Sequence, residues 1–334
     1  MLQASIRFFE LSGLTWLVPV ANLCAGKQPR QQLSLLTRII VAPLIAFLMF
    51  LLLWSGTASS LVTSLGKLPG PSQTWAQFEI LVGEHKQERV KEQAFYERQK
   101  ARNQIRIDAG KQAKVIRQWT GKPTFFDQIA TSLVTVLTGF AMASLIAVPL
   151  GIACGLSRTI NDGLNPLIQI FRPVSPLAWL PIVTMVVSAV YVSDDPMMSK
   201  SFVTSAITVT LCSLWPTLIN TSTGVAGIDK DLLNVSKVLQ LNWLTTVRKV
   251  VIPAALPMIF TGLRLSLSVG WMVLIAAEML AQNPGLGKFV WDEFQNGSSH
   301  SLARILVAVF TIGIIGFLLD RIMHSLQALF SHKV

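Results

Sequence analysis

Three charged residues, Arg172, Arg264 and Glu278, fall within or at the edges of long apolar runs. A charge at the centre of a hydrocarbon layer costs at least about 2.5–3.5 kcal/mol, so each should face protein or water rather than lipid. Two chemistries suit residues in that position. A guanidinium facing an aqueous path would hold an anion in transit; alternatively, the charges pair with one another or tie helix ends at the interface. Residues that would carry out covalent chemistry are missing. There is no GxxxxGK[ST] phosphate loop, so the chain is not expected to hydrolyse ATP by itself, and neither HExxH nor GxSxG occurs. His85, His300, His324 and His332 lack the spacing of a metal site, and Cys24, Cys154 and Cys212 form no CxxC pair. The expectation is a non-enzymatic chain with no catalytic residue, metal or cofactor of its own.

The elements that position these charges are set by composition. The 334 residues are 51% hydrophobic and only 13% charged, against about a quarter charged in soluble domains. Apolar runs at 39–56, 129–155, 164–192, 202–225, 254–280 and 302–322 are each long enough to cross a bilayer, and in hydrocarbon they must be helices. The expected fold is therefore all-α, a polytopic membrane protein with six transmembrane helices. A shorter stretch containing Ile6, Phe8, Phe9, Leu14, Trp16 and Leu17 also carries Arg7 and Glu10. It reads as an interfacial helix within an N-terminal segment, 1–38. The third run is interrupted by Pro173, Pro176 and Pro181, each lacking a backbone donor. A break at membrane depth is tolerated only where protein or a cavity satisfies the freed carbonyls, which marks a candidate translocation path. Trp179 and Trp271 either line that path or pack the core.

The net charge of +11 does not point to nucleic acid, because the basic residues cluster between the spans, where lipid headgroups and orientation account for them. With the N-terminus inside, the cytoplasmic segments hold Arg7, Lys27, Arg30, Arg38, Arg158, Lys230, Lys237, Arg248, Lys249, Arg321 and Lys333. The short outer loops hold Lys200 and Lys288, with Arg304 at the outer end of the last span. Both termini are thus expected in the cytoplasm. The connection 57–128 is long enough to escape this rule and is placed outside. Between Glu84 and Arg117 it has ten basic and five acidic residues and almost no Gly or Pro, the composition of a solvated helix. It is either a charged external helix with no specific role or a docking and anion-gathering surface for an external binding protein. The membrane core is placed at 129–326.

The stretch NVSKVLQLNWLTTVRKVVIP, from Asn234 to Pro253, lies in the cytoplasmic loop 226–253. Asp231 could cap a short amphipathic helix here that shows Leu233, Val235, Val238 and Leu239 beside Lys237. This stretch resembles the cytoplasmic loop of binding-protein-dependent ABC importer permeases, whose pattern is Glu-Ala-Ala, three residues, Gly, nine residues, Ile-x-Leu-Pro. The positions fall at Asn234, Val235, Ser236, Gln240, Val250, Ile252 and Pro253. The spacing is kept, while Asn234 replaces Glu and Gln240 replaces Gly. Phe171 to Ile182, FRPVSPLAWLPI, is similar to the family's Arg-Pro-x-x-Pro-x-Ala-Trp-x-Pro segment, and Gly262 to Leu280 and Gly285 to Asp292 are similar to its fifth span and the following loop.

The resemblance implies a type I importer permease fold in a bacterial inner membrane. It also implies ABC ATPase subunits that bind the ATP, a second permease subunit that makes the pore a homodimer, and an external substrate-binding protein. ATPase coupling would fall to Asn234, Val235, Ser236, Lys237, Gln240 and Pro253, and the pathway to Arg172, Pro173, Pro176, Trp179, Arg264, Trp271 and Glu278. The subfamily resembled imports nitrate, bicarbonate, taurine or alkanesulfonates, and the nitrate branch is the most similar. An autonomous ion-coupled carrier would need no such loop.

Overall fold

The computed structural model describes residues 17–24, 29–63, 66–192, 198–298 and 300–331. Most of the expected interfacial helix therefore lies outside the described residues; only its end appears, in α1 (Leu17–Cys24), followed by α2 (Pro29–Leu36). A wide π-helical turn at Thr37–Val41 leads into α3 (Ala42–Ser60). The spanning helices that follow are α5 (Phe125–Leu156), α8 (Lys200–Ala226), α11 (Ile252–Ala281) and α13 (Ser301–Ser331). Five helical stretches are long and apolar enough to cross a membrane, and a sixth candidate is a bent pair. The all-α polytopic architecture is thus as expected among the described residues, with one two-stranded hairpin, Val62–Thr63 against Gly66–Lys67, at the end of α3.

The core is built on α8, which packs along both α5 and α11. Its buried residues are mostly hydroxyl-bearing: Thr204, Ser205, Thr208, Thr210, Ser213, Thr217 and Thr221 are all at most 6% exposed, beside Ala206, Val209, Leu218 and Val225. Short hydroxyl side chains can satisfy themselves on the preceding turn, as Thr208 does on the carbonyl of Thr204 at 2.8 Å and Ser213 on that of Val209 at 2.7 Å. They also let helices approach closely. On α5, Gly151 and Gly155 meet α8 so tightly that an added Cβ would lie 2.6 Å from Thr221 Cβ and 2.5 Å from Val225 Cβ. These contacts show that α5 and α8 run parallel. Gly262 of α11 meets Thr217 and Asn220, while Gly270 meets Val209 and Ser213, so α11 runs antiparallel to them.

Pro216 sits inside α8. Beside it, Ser266 of α11 donates its hydroxyl to the carbonyl of Ser213 at 2.5 Å and accepts from the amide of Thr217 at 3.1 Å. The hydroxyl thereby bridges the donor and acceptor that one rung of the helical ladder joins directly.

The apolar run at 164–192 is not one straight helix. It divides into α6 (Arg158–Phe171) and α7 (Pro176–Val190), which meet at a bend of 101°. The break falls at residues 172–175, where Ser175 caps α7 through the amide of Leu177 and Pro176 takes its first turn. Pro181 stays within α7 and does not break it.

The connection after α3 holds α4 (Pro71–Asp108), a helix of 38 residues, which at 1.5 Å per residue is about 57 Å long. It begins well before Glu84, on a Gly70–Pro71 start that suits a first helical turn. Its first half is docked rather than fully solvated. Leu81 is buried, Arg304 pairs with Glu84, His85 Nδ1 shares a 2.7 Å hydrogen bond with Thr124 Oγ1, and Arg89 donates to Asp127 at 2.8 Å. The second half carries the returning chain, with Gln99 bonded to Arg117 and Asn103 to Lys114. Thus α4, the starts of α5 and α13, and the amphipathic helix α12 (Leu286–Asn296) share one end of the bundle. The short helix α9 (Lys230–Val238) lies at the other.

Candidate coupling surface and polar clefts

The loop after α8 builds a small, sharply bounded element. Asp229, not Asp231, caps α9, accepting from the amide of Asp231 at 3.0 Å. One face turns inward: Ser236 is buried and donates to the carbonyl of Leu233 at 2.7 Å, and Leu233 packs against the buried cluster that includes Val225, Ile228, Val247 and Val251. The other face is bare. Asn234 and Lys237 are exposed, and so are the apolar side chains of Val235 (55%) and Val238 (82%). Leu239 continues this surface, as do Trp243 and Leu244 of the next turn, α10 (Trp243–Thr246).

The helix ends at Gln240, whose φ is +49°. The amide of Gln240 bonds to the carbonyl of Lys237 and that of Leu241 to Ser236, both at 3.0 Å. This is the paired closure that places a left-handed residue just past a helix end, a role usually filled by glycine. A second wide turn, Val247–Val251, precedes α11, and Pro253 lies in that helix's first turn, where its missing donor costs little.

Two polar clefts open along the bundle. At the α6–α7 bend, a cleft of about 650 Å³ is lined by Asn161, Asn165, Gln169, Arg172 and Pro173, facing Ser222 and Thr223 of α8. Arg172 is exposed, and its guanidinium has no ion pair or side-chain hydrogen bond among the described residues. Pro176 and Trp179 follow within one turn; Trp179 is half-buried, its ring 5.8 Å from that of Phe171. Between α11 and α13, a second cleft of about 600 Å³ holds Arg264. Arg264 is paired with Asp320 through Nε to Oδ1 at 2.5 Å and Nη2 to Oδ2 at 2.8 Å. Of the alternatives for Arg172, Arg264 and Glu278, pairing with one another does not occur among the described residues. Asp320 is a site residue that sequence reasoning missed, although an acid inside the last apolar run was the available signal.

Glu278 and Trp271 lie in packed protein. Glu278 is fully buried and accepts from Ser132 Oγ at 2.8 and 2.9 Å and from the amide of Gly287 at 3.0 Å. Ser132 in turn accepts from the amide of Leu286 at 2.8 Å. One carboxylate therefore joins α5, α11 and the start of α12, and Gly285 and Gly287 leave room for it. Trp271 is 5% exposed, and its indole donates to the carbonyl of Ile312 at 3.0 Å.

A family model of the binding-protein-dependent transport system inner membrane component matches residues 147–334. The chain belongs to this family. A bicarbonate transport system permease protein from Synechococcus elongatus is 35% identical to this permease over 289 residues, covering 86% of this chain and 88% of that relative. A nitrate import permease protein from Synechocystis sp. is 37% identical over 202 residues, covering 60% and 68%. Among solved structures, one of the inward-facing MetNI methionine ABC transporter aligns with a TM-score of 0.50 at 15% identity. The alignment covers 60% of this chain and 95% of that one, which supports the permease fold. In this permease, Gln240 occupies the glycine of the family pattern, and the left-handed backbone there explains why the pattern asks for glycine.

Proposed function

We propose that this permease is the membrane half of an ATP-driven importer for a small oxyanion, nitrate or nitrite, in a bacterial inner membrane. The observation that carries the coupling part is the bare apolar face of α9: Val235, Val238 and Leu239 are exposed at the bundle end, uncovered by the described residues. Such a face needs a protein partner. The partner is an ABC ATPase subunit, which binds and hydrolyses the ATP, with Asn234, Val235, Ser236, Lys237, Gln240 and Pro253 shaping or presenting the contact. The α9 end is then cytoplasmic, together with both termini. The opposite end, with α4 and α12, receives the external binding protein, and a second copy of the permease completes the pore.

The pathway reading rests on Arg172, Pro173, Pro176 and Trp179 at the bend and on Arg264 in the second cleft. Arg264 acts there as one half of a neutral pair with Asp320. Trp271 and Glu278 support the path by holding its helices. The nitrate reading follows the likeness of the core to nitrate permeases. Bicarbonate is the second reading, favoured because the bicarbonate relative aligns over 86% of this chain and the nitrate relative over 60%.

Uptake of labelled nitrate by cells with and without this gene decides between them, with nitrite, bicarbonate and taurine as competitors. Loss of uptake on deletion, restored with the gene and blocked by nitrite but not taurine, is the expected result. Nitrate uptake unchanged in cells with no second nitrate transporter transfers the assignment to bicarbonate. For coupling, Val238→Asp is expected to release the ATPase from the purified complex while leaving the permease in the membrane.

A further inference from the structure

We propose that the cleft at the α6–α7 bend is an oxyanion-binding site at the α9 end of the permease. Six of its ten lining residues carry side-chain hydrogen-bond donors, the other four being Ile168, Pro173, Leu218 and Ile219. Asn161, Asn165 and Gln169 recur every four residues and so stand on one face of α6. Arg172 ends that row, and Ser222 and Thr223 face it from α8. No carboxylate lines the cleft, so nothing within it competes for the guanidinium. This separates it from the second cleft, where Asp320 already occupies both donors of Arg264. A guanidinium offers two parallel N–H groups to two oxygens of one anion, and the Asn161 and Asn165 amides with the Ser222 hydroxyl complete the shell; the Thr223 hydroxyl is donated to the carbonyl of Ile219 at 2.9 Å, and Gln169 donates to Asn165 Oδ1 at 3.2 Å.

The volume, about 650 Å³, exceeds that of a small oxyanion, so the ligand enters with part of its hydration and binds weakly. Weak binding suits a site from which an anion must leave. Position supports the same reading. Ser222 and Thr223 lie in the last turn or so of α8, which ends at Ala226, and α9 begins at Lys230. An anion held between α6 and α8 thus lies beside the end of α8 that leads into α9. The free anion and the phosphate of a lipid headgroup share this chemistry, and identifying the free anion as transported substrate rests on the importer reading.

The test is protection of a cysteine. Ser222→Cys is placed in a permease whose own cysteines are serine, assembled with its ATPase in nanodiscs of zwitterionic lipid, and labelled with a small thiol reagent. Saturating nitrate is expected to slow labelling about tenfold, as occupancy near 90% requires. The protection is expected to vanish with Arg172→Gln and to persist in part with Arg172→Lys. Protection by phosphatidylglycerol without nitrate assigns the site to a lipid headgroup instead of the free anion. If Arg172→Gln does not assemble, Asn165→Leu takes its place, with weakened protection expected. Unchanged labelling under both nitrate and phosphatidylglycerol, in a complex that hydrolyses ATP and takes up an anion, overturns the site and leaves the importer reading intact. Protection in a complex that takes up no anion leaves the site and removes that reading.

Discussion

The helices α3 and α8 both cross the membrane region, yet they are built on opposite principles. The stretch Arg30–Ala58, which contains α3, is among the most apolar in the chain, and none of its most apolar window is buried. Lys200–Ala226, which is α8, is the least apolar of the spanning stretches, and half of its window is buried. In a soluble protein the order would be reversed. Lipid is as apolar as leucine, so burying Leu44, Leu52 or Leu53 against protein gains little, and they stay exposed. Association depends instead on close contact and hydrogen bonds, and glycine, serine and threonine provide both. Hydropathy therefore marks which helices face lipid, and small polar residues mark which helices face each other.

The sharpest way to break this contrast is one substitution made in both regions. Gly151→Leu forces a side chain into Thr221 and is expected to cost about 3 kcal/mol or more, with little assembled permease recovered on size-exclusion chromatography. Gly56→Leu, whose new Cβ would have no described residue within 4 Å, is expected to leave recovery unchanged. Next in size, Glu278→Ala strands the Ser132 hydroxyl and the amide of Gly287 in a buried junction and is expected to destabilise by about 3 kcal/mol. Thermal unfolding in detergent would register it, and equal melting of variant and parent would show that the junction does not hold the helices.

A smaller effect is expected at Arg264 and Asp320, whose side chains are 38% and 29% exposed. A double-mutant cycle with alanine should give a coupling of about 1 kcal/mol. If Arg264→Ala abolishes uptake while assembly and ATPase stimulation persist, the pair belongs to the path; if the subunit fails to accumulate, it is structural. The smallest effect belongs to α3: Leu52→Ala and Leu53→Ala are each expected to change stability by less than about 0.5 kcal/mol, because lipid fills the space.

The spans were legible because a bilayer imposes length and composition on each segment separately. The first span begins at Arg30 rather than 39, and α5 at Phe125 rather than 129, because charged residues continue a helix beyond the hydrocarbon. The bend at residues 172–175 was signalled by Pro173 and Pro176, but its angle was not, since that depends on where α6 packs. The α9 element could be read from the spacing between Asn234 and Pro253, whereas its cap at Asp229 could not be told from Asp231 by residue type alone. Pairings were the hardest to read. Arg264 and Asp320 are 56 positions apart, and only the antiparallel contact of α11 with α13 joins them. Glu278 carried a stronger signal than its role, because its partners are a serine and a backbone amide, which no charge pattern announces.

The bridge made by Ser266 means that the stiffness of α8 is shared property. Near Pro216 the rod is splinted from outside, by a hydroxyl on a neighbouring helix. Under the proposed coupling, a push on α9 would travel along α8 as along a straight lever while Ser266 holds its place, and would be absorbed as bending at Pro216 if α11 slid and withdrew the splint. The joint would then act as a clutch, in which the position of a different helix decides whether the two ends of α8 move together.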